Sequence, residues 1–180
     1  LYATMFNNKL DVEASVWNKR TTGLLLDVPI PYTTGYASYA QNAGVMRNRG
    51  IDLMINSLNV QTSGFEWRTI LNVGFLENEV LELPGASEDN EGRRFVQGSS
   101  SQRAIEGYSV NTFYLVRYNG INPETGEAEW LNGDGEPTTT YSTNDREIIG
   151  SAIPRISGGL TNTLSYKGFD LSALFTFTQG

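Results

Sequence analysis

The sequence contains no cysteine and no histidine. Those two absences exclude disulfides, thiol nucleophiles, Cys/His zinc sites and Ser-His-Asp or Cys-His catalysis. Basic residues are scarce as well: 13 Lys+Arg face 20 Asp+Glu in 180 residues, a net charge of −7. A chain so acidic is no electrostatic partner for nucleic acid. Apolar runs are short, and none approaches the roughly 20 residues of a spanning helix. There is neither an initiator Met nor a signal peptide, and Leu1-Tyr2-Ala3-Thr4-Met5 reads as the middle of a strand. The sequence is therefore expected to be an excerpt of something longer. What is present is 39% hydrophobic content and 19 Gly, enough apolar material for one domain.

That apolar material is arranged with period 2, the mark of strands with two unlike faces. In Leu10–Val16, apolar Leu10, Val12, Ala14 and Val16 alternate with Asp11, Glu13 and Ser15. Trp67, Leu71, Val73 and Phe75 share one face with Thr69, against Arg68 and Asn72. Phe169, Leu171, Ala173, Phe175 and Phe177 oppose Asp170, Ser172, Thr176 and Thr178, with Leu174 as the exception. Ile51, Leu53 and Ile55 begin a similar run that blurs at Met54 and Leu58, and Arg155–Tyr166 is weaker still. No window keeps a helical period. The chain is expected to be all-β, with strands at about 1–6, 10–21, 50–60, 65–75, 155–166 and 169–180.

Connection lengths carry a second signal. Asn7-Asn8-Lys9, Gln61-Thr62-Ser63-Gly64 and Lys167-Gly168 make three tight joins, each with the Asn or Gly that a positive-φ turn requires. Between them lie long excursions at about 22–48 and 76–154, far beyond ordinary loops. Short and long connections alternate strictly. In a meander, every second connection emerges at the same end, so one end of the sheet is trimmed and the other elaborate. Outer-membrane β-barrels have that asymmetry, with short periplasmic turns and long extracellular loops. Strands of about 9–11 residues suit a tilted crossing of the bilayer, and Phe6, Phe65, Trp67, Tyr166 and Phe169 gather near the short turns. An interfacial girdle and ordinary cross-strand packing both explain that placement. A soluble β-sandwich, such as a carbohydrate-binding module, is the alternative architecture.

Several blocks resemble one family. They are Phe6-Asn7-Asn8-Lys9-Leu10, Trp17-Asn18-Lys19-Arg20-Thr21-Thr22-Gly23-Leu24-Leu25, Val28-Pro29-Ile30-Pro31, Thr33-Thr34-Gly35-Tyr36, Gln41-Asn42-Ala43-Gly44 and Asn48-Arg49-Gly50-Ile51-Asp52-Leu53. They resume at Gly120-Ile121-Asn122-Pro123-Glu124-Thr125-Gly126-Glu127, Asp145-Arg146, Ile149-Gly150 and Pro154, and end with Gly159–Leu171. Taken in order, they resemble the barrel region of the SusC/RagA family of TonB-dependent outer-membrane transporters. Residues Glu82–Gln102 match little and read as a variable loop.

The resemblance implies part of a transmembrane antiparallel β-barrel of about 22 strands, of which about six are present here. A plug domain would lie upstream and the barrel C-terminus downstream; nothing here matches a TonB box, a plug or a closing terminal aromatic. It further implies uptake of bulky glycans or peptides through the outer membrane of Bacteroidota. The implied partners are a SusD-like surface lipoprotein and, through regions other than this one, the TonB complex. Outward Leu, Val, Ile and Phe would face lipid. Asp11, Glu13, Asp52, Arg68, Asn72, Asp170 and Thr176 would line a wet lumen, with no transport role assigned to any one of them.

No catalytic, cofactor or substrate-binding residue is assigned. Asp11 and Glu13 lie two residues apart on one face, about 6–7 Å along a strand, near a glycosidase separation. Any acidic alternating strand gives the same spacing. Asn132-Gly133-Asp134-Gly135-Glu136 resembles the start of a calcium loop, yet Trp130 occupies the first ligand position and Pro137 breaks the continuation. A Gly-rich turn is expected, with calcium requiring Glu129 or Asp145 to fold back. Asn122–Gly126 is expected to turn between strands Phe113–Tyr118 and Glu127–Trp130. Tyr32, Tyr36, Tyr39, Tyr108, Tyr114, Tyr118 and Tyr141 populate the long connections, where they suit sugar stacking and loop packing alike.

Overall fold

The computed structural model describes residues 1–29, 35 and 38–180. The chain is all-β. The first four strands are β1 (Tyr2–Met5), β2 (Leu10–Pro29), β3 (Ser38–Gln61) and β4 (Phe65–Glu82). Eight short strands follow: β5 (Ser87–Glu88), β6 (Arg94–Gln97), β7 (Gln102–Ile105), β8 (Thr112–Val116), β9 (Tyr118–Ile121), β10 (Ala128–Leu131), β11 (Pro137–Thr138) and β12 (Arg146–Ser151). The last two, β13 (Ile156–Tyr166) and β14 (Phe169–Gln179), form a long hairpin. The six long-sheet strands run in the order β1-β2-β3-β4-β13-β14. Two smaller sheets have the orders β12-β8-β7-β6-β5 and β11-β10-β9.

Tight turns join the hairpins where expected. Phe6, Asn7 and Asn8 all have positive φ (55°, 55° and 65°), and the amide of Lys9 returns to the carbonyl of Met5. Lys167 (φ 46°) and Gly168 (φ 88°) make a two-residue turn with both residues left-handed, the backbone handedness that matches strand twist. Thr62 closes the third turn, its hydroxyl accepting from the amide of Phe65.

The long connections differ from the expectation. β2 continues to Pro29, β3 begins at Ser38 and β4 reaches Glu82, so 22–48 and the start of 76–154 are mostly strand. The apolar alternation stops at Val16, but pairing does not. Asn18-Lys19-Arg20-Thr21-Thr22 is polar throughout because both faces of that stretch can be polar without leaving the ladder. Residues 82–102, read as a variable loop, hold β5 and β6. The expected strand Phe113–Tyr118 is divided: Thr112–Val116 pairs with β7 and β12, while Tyr118–Ile121 pairs with β10.

The chain resolves into two compact units. One comprises Leu1–Lys19, Asn48–Glu77 and Pro154–Gly180; the other comprises Arg20–Arg47 and Asn78–Ile153. They are built on different physics. The second has a core in which Val80 and Leu83 are fully buried, with Leu24, Ala86, Val96, Ala104 and Val110 packed around them. The carboxylate of Glu106 accepts from the amide of Leu83 at 2.6 Å. Asp89 pins a turn of the same unit, accepting from the amides of Glu91 and Arg93 and from the Arg93 guanidinium at 2.8 Å. Its side chain is 8% exposed. Burial alone would raise the Asp89 carboxyl. The Arg93 amide and guanidinium and the Glu91 amide outweigh it and hold the group below its ordinary value.

The first unit has no buried residue at all. It is one layer. Its registers define the faces: Leu71 lies beside Leu160 and then Phe175, Val73 beside Gly158 and Phe177, Trp67 beside Leu164 and Leu171. This apolar face is exposed, with Val16 at 80%, Leu171 at 64% and Phe175 at 62%. A soluble β-sandwich would cover such a face with a second sheet, so that alternative is set aside. The opposite face carries Arg68, Asn72, Thr161, Thr163, Asp170 and Thr176.

The apolar face is bounded at both ends. Phe65, Tyr166 and Phe169 form one cross-strand row beside the short turns, so girdle and cross-strand packing are the same arrangement. Past Ile51 and Phe75 come Arg49 and Glu77, joined by two bonds of 2.9 and 2.6 Å. From Phe65 to Phe75 is about 33 Å along the strand. At a strand tilt of about 40° that becomes about 25 Å, the height of an outer-membrane apolar band. Within the band, the polar side chains satisfy one another. Asn59 donates to Thr69 at 2.7 Å, and Thr69 and Trp67 both donate to Asn162 Oδ1, at 2.7 and 2.9 Å. Small backbone positions are covered by rings: a Cβ on Gly158 would meet the Phe177 ring at 2.5 Å, and one on Gly50 the Trp17 indole at 2.6 Å.

Two outcomes follow for the full-length protein. Leu71→Arg, mid-band on the apolar face, should lower folding stability in lipid vesicles by about 2–4 kcal/mol, while neighbouring Asn72→Arg should leave it within about 1 kcal/mol; reversible denaturant titration compares them. For Asp89, the depressed folded-state value means its stabilisation is present above the ordinary carboxyl range and is lost as pH falls through that value. At pH 7, hydrogen exchange of the 89–93 turn should be slower in the wild type than in Asp89→Asn, and the difference should vanish at strongly acid pH.

Candidate functional site

The polar face of the single-layer unit is built by the same period-2 rule that makes its other face apolar. Asp11, Glu13, Ser15 and Trp17 alternate inward along β2, and β3 brings Asp52 opposite them. Asp52 accepts from the Trp17 indole at 2.9 Å and from the Ser15 hydroxyl at 3.5 Å. Asp11 is occupied by the hydroxyls of Thr4 at 2.9 Å and Tyr2 at 3.2 Å. Glu66 pairs with Arg68 at 2.5 Å and accepts from Gln61, and Asp170 accepts from Ser165. A groove of about 560 Å³ crosses this face, lined by Glu13, Ser15, Asp52, Asn72, Ser157 and Thr176 among others.

All seven residues expected to line a lumen therefore lie on one face. Chemically, the arrangement is a hydrogen-bonding wall. Asp11 and Glu13 share that face, but Asp11 is committed to two neighbouring hydroxyls. The open groove offers hydroxyls, an amide and carboxylates beside apolar Leu53, Met54, Val73 and Phe177.

The long connection between β4 and β13 presents the second surface. The turn Asn132–Glu136 closes the β10–β11 hairpin: Asn132 Oδ1 accepts from the amides of Asp134 and Glu136 at 3.0 and 2.8 Å. Asp145 does fold back, yet its carboxylate accepts the Gly133 amide at 3.0 Å. Glu129 turns to Asn119 and Asn122, at 3.2 and 2.7 Å. These oxygens serve a side-chain-capped turn. Asn122–Gly126 is likewise a turn, with Asn122 Oδ1 accepting from Glu124 and Thr125.

The tyrosines separate into roles that the sequence left open. Tyr32 and Tyr36 lie outside the described residues, as does the side chain of Tyr39. Tyr114 and Phe95 sandwich the Arg103 guanidinium at 4.0 and 4.2 Å, and Arg93 lies over Tyr108 at 5.6 Å. Those two tyrosines pack the loop. Tyr118 and Tyr141 are more than half exposed, and Tyr141 meets Trp130 edge-on at 5.6 Å. Trp130 escaped the sequence reading as a surface group because its partners arrive from β9 and from beyond β11. No local spacing signals that meeting.

No family model matches the chain. Individual proteins do. TonB-dependent receptor P26 of Formosa agariphila is 36% identical over 196 aligned positions, covering all of this chain and 19% of that protein. TonB-dependent receptor P3 of the same organism is 31% identical over all of this chain and 20% of its own length. TonB-dependent receptor SusC of Bacteroides thetaiotaomicron is 29% identical over 86% of this chain and 16% of its own. Among solved structures, that of the RagAB peptide importer in the open-open state superposes with a TM-score of 0.84 at 30% identity, over 98% of this chain and 19% of that one. The chain thus spans about a fifth of the length of the relatives it matches. They are receptors and importers, not enzymes; the receptors match it in sequence, and the solved importer in sequence and fold together. Over its whole length this chain is similar to a segment of the outer-membrane β-barrel of TonB-dependent receptors of the SusC/RagA type.

Proposed function

We propose that the protein containing this segment imports bulky nutrients, oligosaccharides or peptides, across the outer membrane in a TonB-dependent manner. In this reading a SusD-like surface lipoprotein is its partner. This segment supplies barrel wall and extracellular connections, while ligand gating and coupling to TonB fall to other parts of the longer protein. One observation carries the proposal: 98% of the chain follows a segment of the RagAB peptide importer at 30% identity. The polar face supports it physically. Transport of a large hydrophilic solute needs a wetted wall that forms no strong single contact, since a tightly held ligand would not leave. Side chains that are already satisfied by their neighbours, as Asp11, Glu66 and Asp170 are, provide such a wall.

The test is made in the source bacterium. Deleting the full-length gene should abolish uptake of either fluorescent oligosaccharides or fluorescent peptides, with restoration from a plasmid copy. The tagged protein, extracted from membranes, should bring a lipoprotein with it. Unchanged uptake of both solute classes would overturn the import reading. Isolation of the barrel without any lipoprotein would remove the partner.

A further inference from the structure

The three-stranded sheet of the long connection has an unusual composition. Between Tyr118 and Asp145 the sequence has six carboxylates (Glu124, Glu127, Glu129, Asp134, Glu136 and Asp145) and neither Lys nor Arg. Elsewhere in the described residues, arginines and carboxylates neutralise one another: Arg20 with Glu82, Arg47 with Glu79, Arg93 with Asp89, Arg117 with Glu147. None of the six carboxylates forms an ion pair with a described residue.

The register places these charges around an aromatic face. Trp130 lies beside Tyr118 on one side and Thr138 on the other, and Ala128 beside Ile121, with a register shift between Glu129 and Trp130. Tyr118 is 56% and Ile121 59% exposed. Tyr141 stands edge-on to the Trp130 ring. Glu129 points to Asn119 and Asn122. The two hairpin turns lie at opposite ends of the sheet, so exposed Glu124 and Glu127 occupy one end and exposed Asp134 and Glu136 the other. The face is thus apolar and aromatic along about 13 Å of strand, with negative charge free of described ion pairs at both ends.

We propose that this face is a binding surface for a cationic peptide, an extended segment bearing Lys or Arg side chains, on its way into the transporter. The inference deepens the import reading and rests on it. An aromatic face alone would suit a sugar ring as well. The unpaired carboxylates decide: a neutral glycan relieves none of their mutual repulsion, whereas a lysyl or arginyl group relieves it and is attracted to Tyr and Trp rings. Electrostatic capture at an exposed rim also speeds encounter, and weakens with salt.

The probe is tetralysine, compared with its Nε-acetylated form, tetraglutamate and maltohexaose, titrated against the detergent-purified full-length protein. Tetralysine should bind in preference to the other three, and several-fold more weakly in 0.5 M salt than in 0.05 M. Tyr118→Ala/Trp130→Ala and, separately, Glu124→Gln/Glu127→Gln/Asp134→Asn/Glu136→Gln should each weaken it about five- to tenfold. The second set changes only exposed turn side chains, so it reports even where the aromatic variant fails to fold. Equal binding of acetylated tetralysine, preference for maltohexaose, or unchanged affinity in the carboxamide variant would overturn the proposal. Loss of lipoprotein co-purification in the carboxamide variant with tetralysine binding intact would do so too, assigning the face to the lipoprotein. Because binding is read without transport, intact binding in a protein whose deletion leaves uptake unchanged would sink the import reading alone.

Discussion

In hydrocarbon, a backbone amide or carbonyl without a partner costs several kcal/mol. The rest of this structure depends on that constraint. It forces the membrane stretch into a continuous antiparallel ladder, in which β4, β13 and β14 pair residue for residue from the short turns to Phe75. Once the ladder is fixed, side chains must alternate between lipid and lumen, and one strand register assigns a whole face at once. No second layer or buried core is needed. The unit's stability comes from hydrogen bonds protected by lipid and from ring-over-glycine and side-chain ladders on its two surfaces.

Past the apolar band, the side chains along the strands change character. Beyond Ile51 and Phe75, the pairs Arg49–Glu77 and Arg47–Glu79 join the strands with charge. Further on, the chain builds a conventional core around Val80 and Leu83. Each unit is stabilised by its own means, the first by its ladder and paired surface side chains, the second by a buried apolar core.

This division explains how much was legible in the sequence. Alternation from Phe169 to Phe177 and from Trp67 to Phe75 revealed both faces, and the inward set of Asp11, Glu13, Asp52, Arg68, Asn72, Asp170 and Thr176 follows from parity alone. The turn at Lys167-Gly168 was equally plain, since it needs left-handed backbone. What was hidden lies in the second unit. Residues 22–29 extend β2 without period-2 alternation, so the sequence places the end of that strand near residue 21. The strands around Arg94, Gln102 and Tyr118 are four or five residues long, too short for periodicity to register. The meeting of Trp130 with Tyr118 and Tyr141 is set by the bulged register of β9 and β10, which no local spacing encodes.

The central claim is that a single sheet layer separates lipid from water, with side chains assigned by parity from Trp67 to Phe75. The absence of native cysteine in this segment makes a direct test straightforward. Single cysteines at each position from 67 to 75 of the full-length protein, with any other cysteine replaced, would be nitroxide-labelled in lipid vesicles. Collision rates with oxygen, which concentrates in lipid, and with a water-soluble nickel chelate would then be read by electron paramagnetic resonance. The account predicts a period-2 exchange: odd positions accessible to oxygen, even positions to nickel. Uniform accessibility along the strand, or nickel access at Leu71 and Val73, would contradict it.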